Sequence, residues 1–166
     1  MPRPASRRPR APARGVSLDR KQRGELAELA FWQKAAGLGF IVSKPYTAWA
    51  RYDLIVDAKG NLWRVQVKST SDRGGGKYCV SLGEGGYSPA EIDLLAILIV
   101  PRKKWYLVPI EEVSGKAHLR LMGQRTRGRG GLERYFERWS VLETGNVPRK
   151  GVARLLARLR DCLDCV

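Results

Sequence analysis

Asp53, Gln66 and Lys68, an acid, an amide and an amine, are spaced along this 166-residue chain so that one fold of the backbone could gather them around a single ion. They lie in YDLIVDAKGNLWRVQVKST, residues 52–70, where apolar and polar residues alternate on both sides of Ala58-Lys59-Gly60-Asn61. That alternation predicts two strands, Tyr52–Asp57 and Leu62–Thr70, joined as a hairpin through the four-residue turn. With Asp57 opposite Leu62, Ile55 faces Arg64 and Asp53 faces Gln66. Leu54, Val56, Trp63, Val65 and Val67 then share the core face, while Asp53, Arg64, Gln66 and Lys68 share the other. Opposed side chains stand about 5 Å apart and diagonal ones about 7–8 Å. The three groups therefore converge. The competing account is an ordinary solvated sheet face, on which charged residues mix without a shared task.

A carboxylate and an amide oxygen can hold a hard divalent cation such as Mg2+ or Mn2+, and the backbone carbonyl of Val67 would add a third oxygen. A lysine beside such a cation can orient or help deprotonate an attacking water and can stabilise charge on a phosphate. Those roles together describe phosphodiester hydrolysis. Composition supplies the matching partner: 31 Lys and Arg stand against 16 acids, a net charge of +15 that favours polyanions. Nucleic acid is preferred over a membrane, because the longest apolar run, Leu94 to Val100, is too short to span a bilayer. No apolar N-terminal segment suggests secretion. Three cysteines, an odd count without a secretory context, point to reduced thiols in a cytoplasm. Cys162 and Cys165 have the spacing of half a zinc site, which Cys79 and His118 alone could complete; the alternative is a plain helix end.

The elements that must position the trio follow from patterning. Met1 to Gly15, with five Arg, four Pro and no acid, reads as a disordered basic tail over residues 1–16, either an arm on phosphates or a solubilising tail. Ser17–Ala36 is a helix, with Leu18, Leu26, Leu29, Ala30 and Ala36 at helical spacings and Gly37 and Gly39 beyond its end. Phe40–Ser43 is a first strand, and the hairpin supplies the next two. DRGGGK, residues 72–77, reads as a flexible loop, and YCVSL, residues 78–82, as a short strand. Ser88-Pro89-Ala90-Glu91 combines a capping Ser, a Pro at the first helical position and a Glu three residues on, so it starts a helical turn. Leu94–Val100 is a strand buried on both faces. WYLVPI, residues 105–110, is another strand, AHLRLM, residues 117–122, a further one, and LERYFERW, residues 132–139, looks helical. Val152–Leu163 closes the chain with an apolar helical stripe. The expected fold is an α/β or α+β domain, residues 17–145, around one central sheet, followed by a C-terminal amphipathic helix in residues 146–166.

An Asp on one strand and Gln-x-Lys on the next, after a helix bearing Glu, resemble the PD-(D/E)XK nuclease superfamily. The chain is similar in particular to its small endonucleases that resemble cyanobacterial intron homing enzymes and archaeal Holliday-junction resolvases. RGELAELAFW, RYDLIVD, RVQVKST, EIDLLAILIV and WYLVPIEEV carry the resemblance, with ERYFERWSVLE more loosely. It implies a restriction-endonuclease-like core, a central mixed β-sheet flanked by helices. It also implies a Mg2+- or Mn2+-dependent endonuclease acting on duplex or branched DNA. By resemblance Asp53 is the direct metal ligand, Gln66 the second, Lys68 the catalytic amine, and Glu28, of the Gly24-to-Glu28 helix pattern, acts on the metal through water. Glu25, one turn earlier, is the alternative. Gln66 departs from the usual Glu or Asp and brings no charge, so metal should bind more weakly. The rival accounts are a DNA-binding protein of this fold without cleavage and a protein that binds or processes RNA.

Around the trio, Arg51, Arg64, Ser69 and Thr70 are candidate phosphate contacts. Arg120, Arg125, Arg127 and Arg129, in or beside a glycine-rich stretch, could follow a DNA backbone or enter its minor groove; a solvated loop is the alternative. Trp49, close to Arg51, is the tryptophan placed to stack on a base. Cutting two strands needs two sites, which makes a homodimer the expected working form.

Overall fold

The computed structural model describes residues 18–124 and 131–144. The expected basic tail, the C-terminal helix with Cys162 and Cys165, and Arg125, Arg127 and Arg129 lie outside the described residues. Helix α1 (Arg20–Gly37) is followed by β1 (Ile41–Ser43), β2 (Leu54–Ala58), β3 (Asn61–Thr70), β4 (Arg73–Gly74), β5 (Lys77–Ser81), β6 (Leu94–Ile99), β7 (Lys104–Pro109) and β8 (His118–Leu121). A five-stranded mixed sheet runs in the order β1-β2-β3-β6-β7, with only β3 and β6 parallel. Among the described residues α1 is the one α-helix; the other helices expected fall in residues 132–139 and 146–166.

The hairpin has the expected register: Asp57 pairs with Leu62 and Ile55 with Arg64. Lys59 and Gly60 take φ of 57° and 88° and close a tight turn whose twist suits a hairpin, with Asp57 Oδ1 accepting from the Gly60 N–H. Leu54, Val56, Trp63, Val65 and Val67 are all buried, so the alternation does select the core face. The run Leu94–Ile99 forms the neighbouring strand and is buried almost throughout, as a strand covered on both faces must be.

Helix α1 starts at Asp19, which caps it in a reciprocal box with Gln22. Its inward residues are Ala27, Phe31 and Ala35, whereas Leu18, Leu26 and Leu29 of the expected stripe are exposed. Two alanines let the helix approach the sheet, and Phe31 packs into the gap with Trp105 and Trp139, its ring 5.4 Å from the first and 5.5 Å from the second.

Two other segments depart from the patterning. DRGGGK is not a plain loop: Gly75 and Gly76, both at positive φ, turn β4 into β5, and β8 joins them in a separate three-stranded sheet. A single central sheet is therefore not the whole architecture. LERYFERW is not one helix but two short 3-10 turns, Leu132–Tyr135 and Trp139–Val141. Phe136 between them is extended and bridges Tyr106, and Glu137, at φ 52°, accepts the Trp105 N–H. Sheet-edge hydrogen bonds outweigh the helical pattern there.

Arg64 holds the segment before β6 in place. Its guanidinium donates to both oxygens of Asp93 (3.0 and 2.7 Å) and to the carbonyls of Ala90 (2.6 Å) and Pro89 (2.9 Å). The predicted Ser88 turn is present, with Glu91 accepting from the Ser88 N–H and hydroxyl. Arg64→Met should therefore lower the unfolding free energy by about 2 kcal/mol, the scale of losing charged hydrogen bonds. Denaturant titration of the purified variant checks this, and an unchanged midpoint would show that the bracket contributes nothing.

Candidate active site

Strand β2 parts from β3 at its N-terminal end, and the site forms in the gap. Asp53 stands one residue before β2; its N–H still donates to the Val65 carbonyl at 2.9 Å. Two positions further along β3, the Val67 N–H has no strand partner on that side and donates to Asp53 Oδ2 at 2.8 Å. Gln66 reaches the same oxygen from its amide nitrogen and lies 3.4 Å from the Val67 carbonyl with that nitrogen. The carboxylate, the amide and the Val67 carbonyl are thus in mutual reach.

Burial is the main influence on Asp53, raising its carboxyl above the ordinary value of 3.8. The charge of Glu28 pushes the same way, while the Val67 N–H and the ammonium groups of Lys68 and Lys44 oppose it. The sign for stability follows. With the folded value raised, the ionised carboxylate destabilises the fold, a penalty absent below the ordinary value and complete above the raised one.

Lys68 is half-buried on the face shared with Gln66, and its Nζ lies 5.5 Å from the centre of the Tyr87 ring, over which an ammonium is attracted. Glu28 projects from α1 and accepts from Lys44 Nζ at 2.7 Å, with a fifth of its side chain exposed. That hydrogen bond raises the Lys44 ammonium above its ordinary range. Glu25 is exposed and makes no side-chain hydrogen bond or ion pair with another described residue.

The structure therefore gathers Glu28, Asp53, Gln66, Val67 and Lys68, and adds Lys44 and Tyr87. Lys44 follows β1, whose Ser43 pairs with Ile55, so pairing β1 with β2 would have put it at the Asp53 end. No short-range signal marks Tyr87, which arrives on the long connection to β6. The other candidates are placed differently. Arg64 is committed to Asp93 and two carbonyls. Arg51 is tied to Glu91 at 2.8 Å and lies over Tyr87. Thr70 is buried, its hydroxyl donating to the Cys79 carbonyl and accepting the Asp72 N–H, so it joins the two sheets. Ser69 is half-buried, and Arg120 is exposed on β8.

Among the described residues no three His, Cys, Asp or Glu side chains cluster as a metal cage. The donors present are two carboxylates, an amide and a carbonyl. An all-oxygen set of that kind suits a hard cation such as Mg2+ or Mn2+. The Gln66 amide nitrogen lies between the Asp53 and Val67 oxygens; a half-turn of the amide would bring its oxygen there instead. A desolvated carboxylate with a raised pKa gains from a bound cation, so the residues fit.

A family model described as PD-(D/E)XK endonuclease matches residues 18–142. Among solved structures, the chain is similar to that reported as a bacterial homing endonuclease, I-Ssp6803I. The match has 27% sequence identity and a TM-score of 0.65, and covers 76% of this chain and 94% of that one. Comparison with curated proteins gave no match.

Protons compete with a cation for Asp53, so Mn2+ affinity should weaken on acidification from a higher pH than an exposed aspartate would set. Asp53→Asn should lower that affinity by at least the roughly 10–100-fold that loss of an outer-shell partner costs, and remove the upper part of the pH dependence. Calorimetric titration of both proteins across the acidic range measures this; equal affinities would remove Asp53 from the metal site.

Proposed function

The chain belongs to the PD-(D/E)XK endonuclease family, and from this premise we propose that it hydrolyses phosphodiester bonds of duplex or branched DNA with Mg2+ or Mn2+ as cofactor. The observation that carries the reading is the meeting of Asp53, Gln66 and the Val67 carbonyl in the gap between β2 and β3, with Glu28 and Lys68 beside them. Asp53, Gln66 and the Val67 carbonyl would hold the cation directly, and Glu28 through water. When bound, the cation supplies Lewis-acid polarisation of a phosphate oxygen.

The chain's own groups do the rest. Lys68 presents an ammonium to the phosphate, where it offsets charge that builds up on the non-bridging oxygens and orients the attacking water. Asp53 takes its position from the Val67 N–H, so the acid is set by backbone rather than by a mobile neighbour. Glu28 is held by Lys44 at the α1 side. The net charge of +15 provides the long-range attraction for DNA. A homodimer would supply two such sites for two strands. No helix among the described residues is long and apolar enough to cross a membrane.

A second reading, DNA binding without cleavage, is favoured by two features. The Gln66 amide nitrogen faces Asp53, and Lys44 already neutralises Glu28, so positive or neutral groups stand where a cation would be drawn. Plasmid and branched DNA incubated with and without Mg2+ or Mn2+ separate the two. The nuclease reading expects metal-dependent nicking, and Lys68→Ala should slow it about 10²–10⁴-fold while DNA affinity stays nearly unchanged. Binding without nicking would support the second reading.

A further inference from the structure

The segment joining β1 to β2 is tied to the site at both ends. On one side Lys44 is held by Glu28 at 2.7 Å. On the other, Arg51 is held by Glu91 at 2.8 Å and lies 5.3 Å from the centre of the Tyr87 ring, two residues before Asp53. Between these anchors run Pro45 to Ala50, and two large aromatic residues stand out from them: Tyr46 is 104% exposed and Trp49 84%. Each is two residues from an anchor, so its Cα lies within about 7 Å of that anchor's Cα. Both side chains are thus carried by the segment that the two ion pairs fasten beside the site, and neither packs on the core.

Leaving a tryptophan and a tyrosine in water forgoes the burial that usually places them inside. Exposed aromatic rings beside cations form the surface on which nucleic-acid bases stack, sequence-tolerantly, while the cations follow the backbone. In an intact duplex the base faces are covered by their neighbours. Only unpaired or splayed bases can use such rings.

We propose that Tyr46 and Trp49 stack on bases that are unpaired beside the phosphate bound at this site, giving this chain a preference for DNA that is locally open. The inference rests on the reading of DNA as the polyanion this site binds, and deepens it by naming the state of the DNA the site accepts. The two side chains are solvent-exposed, so removing them leaves the packed core untouched.

The test compares full-length wild type with the double variant Tyr46→Ala, Trp49→Ala by fluorescence anisotropy in EDTA, where no cleavage intervenes. The probes are a labelled duplex and the same duplex carrying a short central unpaired bubble. Wild type should prefer the bubble by roughly five- to a hundred-fold, the scale of stacking one base on an aromatic side chain. The variant should lose that preference while keeping its duplex affinity and its melting temperature. The emission lost when wild type binds the bubble should be absent in Trp49→Phe. Equal binding of both probes by wild type, or an undiminished preference in the variant, overturns the proposal. So does a variant whose only change is a smaller mass in sedimentation, which would assign the rings to self-association. Cleavage is not read in this assay, so failed nicking would sink the nuclease reading and leave this one standing. Absence of binding to either probe would sink both.

Discussion

The hydrogen bond from the Val67 N–H to the Asp53 carboxylate is the contact on which the site depends. Strand β3 is paired with β2 along its first half and with β6 along its second, from Val65 onward. Where β2 leaves, β3 keeps backbone groups that no strand satisfies on that side, and a buried N–H without a partner is costly. Asp53, still attached to the ladder through its own N–H, supplies the acceptor. The chain thereby positions an acid with a backbone contact and leaves the adjacent carbonyl facing the same gap. Antiparallel pairing on one side and parallel pairing on the other are what create the gap.

Opposite charges and an amide meet around that gap. Two carboxylates, Asp53 and Glu28, act on each other and are met by Lys44, Lys68 and the amide of Gln66. A glutamate at position 66 would have made a third acid in a desolvated place, where repulsion favours either a proton or a cation. With an amide there are two acids, and a cation would compete with groups already in contact. Tyr87 belongs to the same arrangement: its ring lies near both the Lys68 ammonium and the Arg51 guanidinium, and Arg51 in turn is fastened to Glu91. Arg64, by contrast, shares the polar face but serves the architecture, since its donors hold the 89–93 segment that leads into β6.

Much of this is legible from local pattern. Val56, Trp63 and Val65 alternate so strictly that a one-residue slip would expose them, which settles both the face and the register of the hairpin. Leu94–Ile99 announces its burial by the absence of polar residues. Where pattern misleads, a longer-range contact has overruled it. Leu26 and Leu29 are better core formers than Ala27 and Ala35, yet the small residues face the sheet because Phe31 and Trp105 already fill the space between. The helical run 132–139 breaks at Phe136 and Glu137 because β7 offers them backbone partners.

The amino-acid sequence alone determined that Asp53, Gln66 and Lys68 share one face of one hairpin, because strand pairing by a tight turn is a local matter of alternation and turn residues. It also determined the basic charge that suits a polyanion. Only the tertiary structure decided which neighbours complete the face. Lys44 comes from just after β1 and Tyr87 from the connection to β6, and they join Glu28 of α1, which family resemblance alone had suggested. It likewise decided that Arg64 and Thr70 spend their polar atoms inside the fold. Those outcomes depend on how separate elements dock, and docking is set by the volumes and unpaired backbone groups of distant segments, which no local spacing encodes.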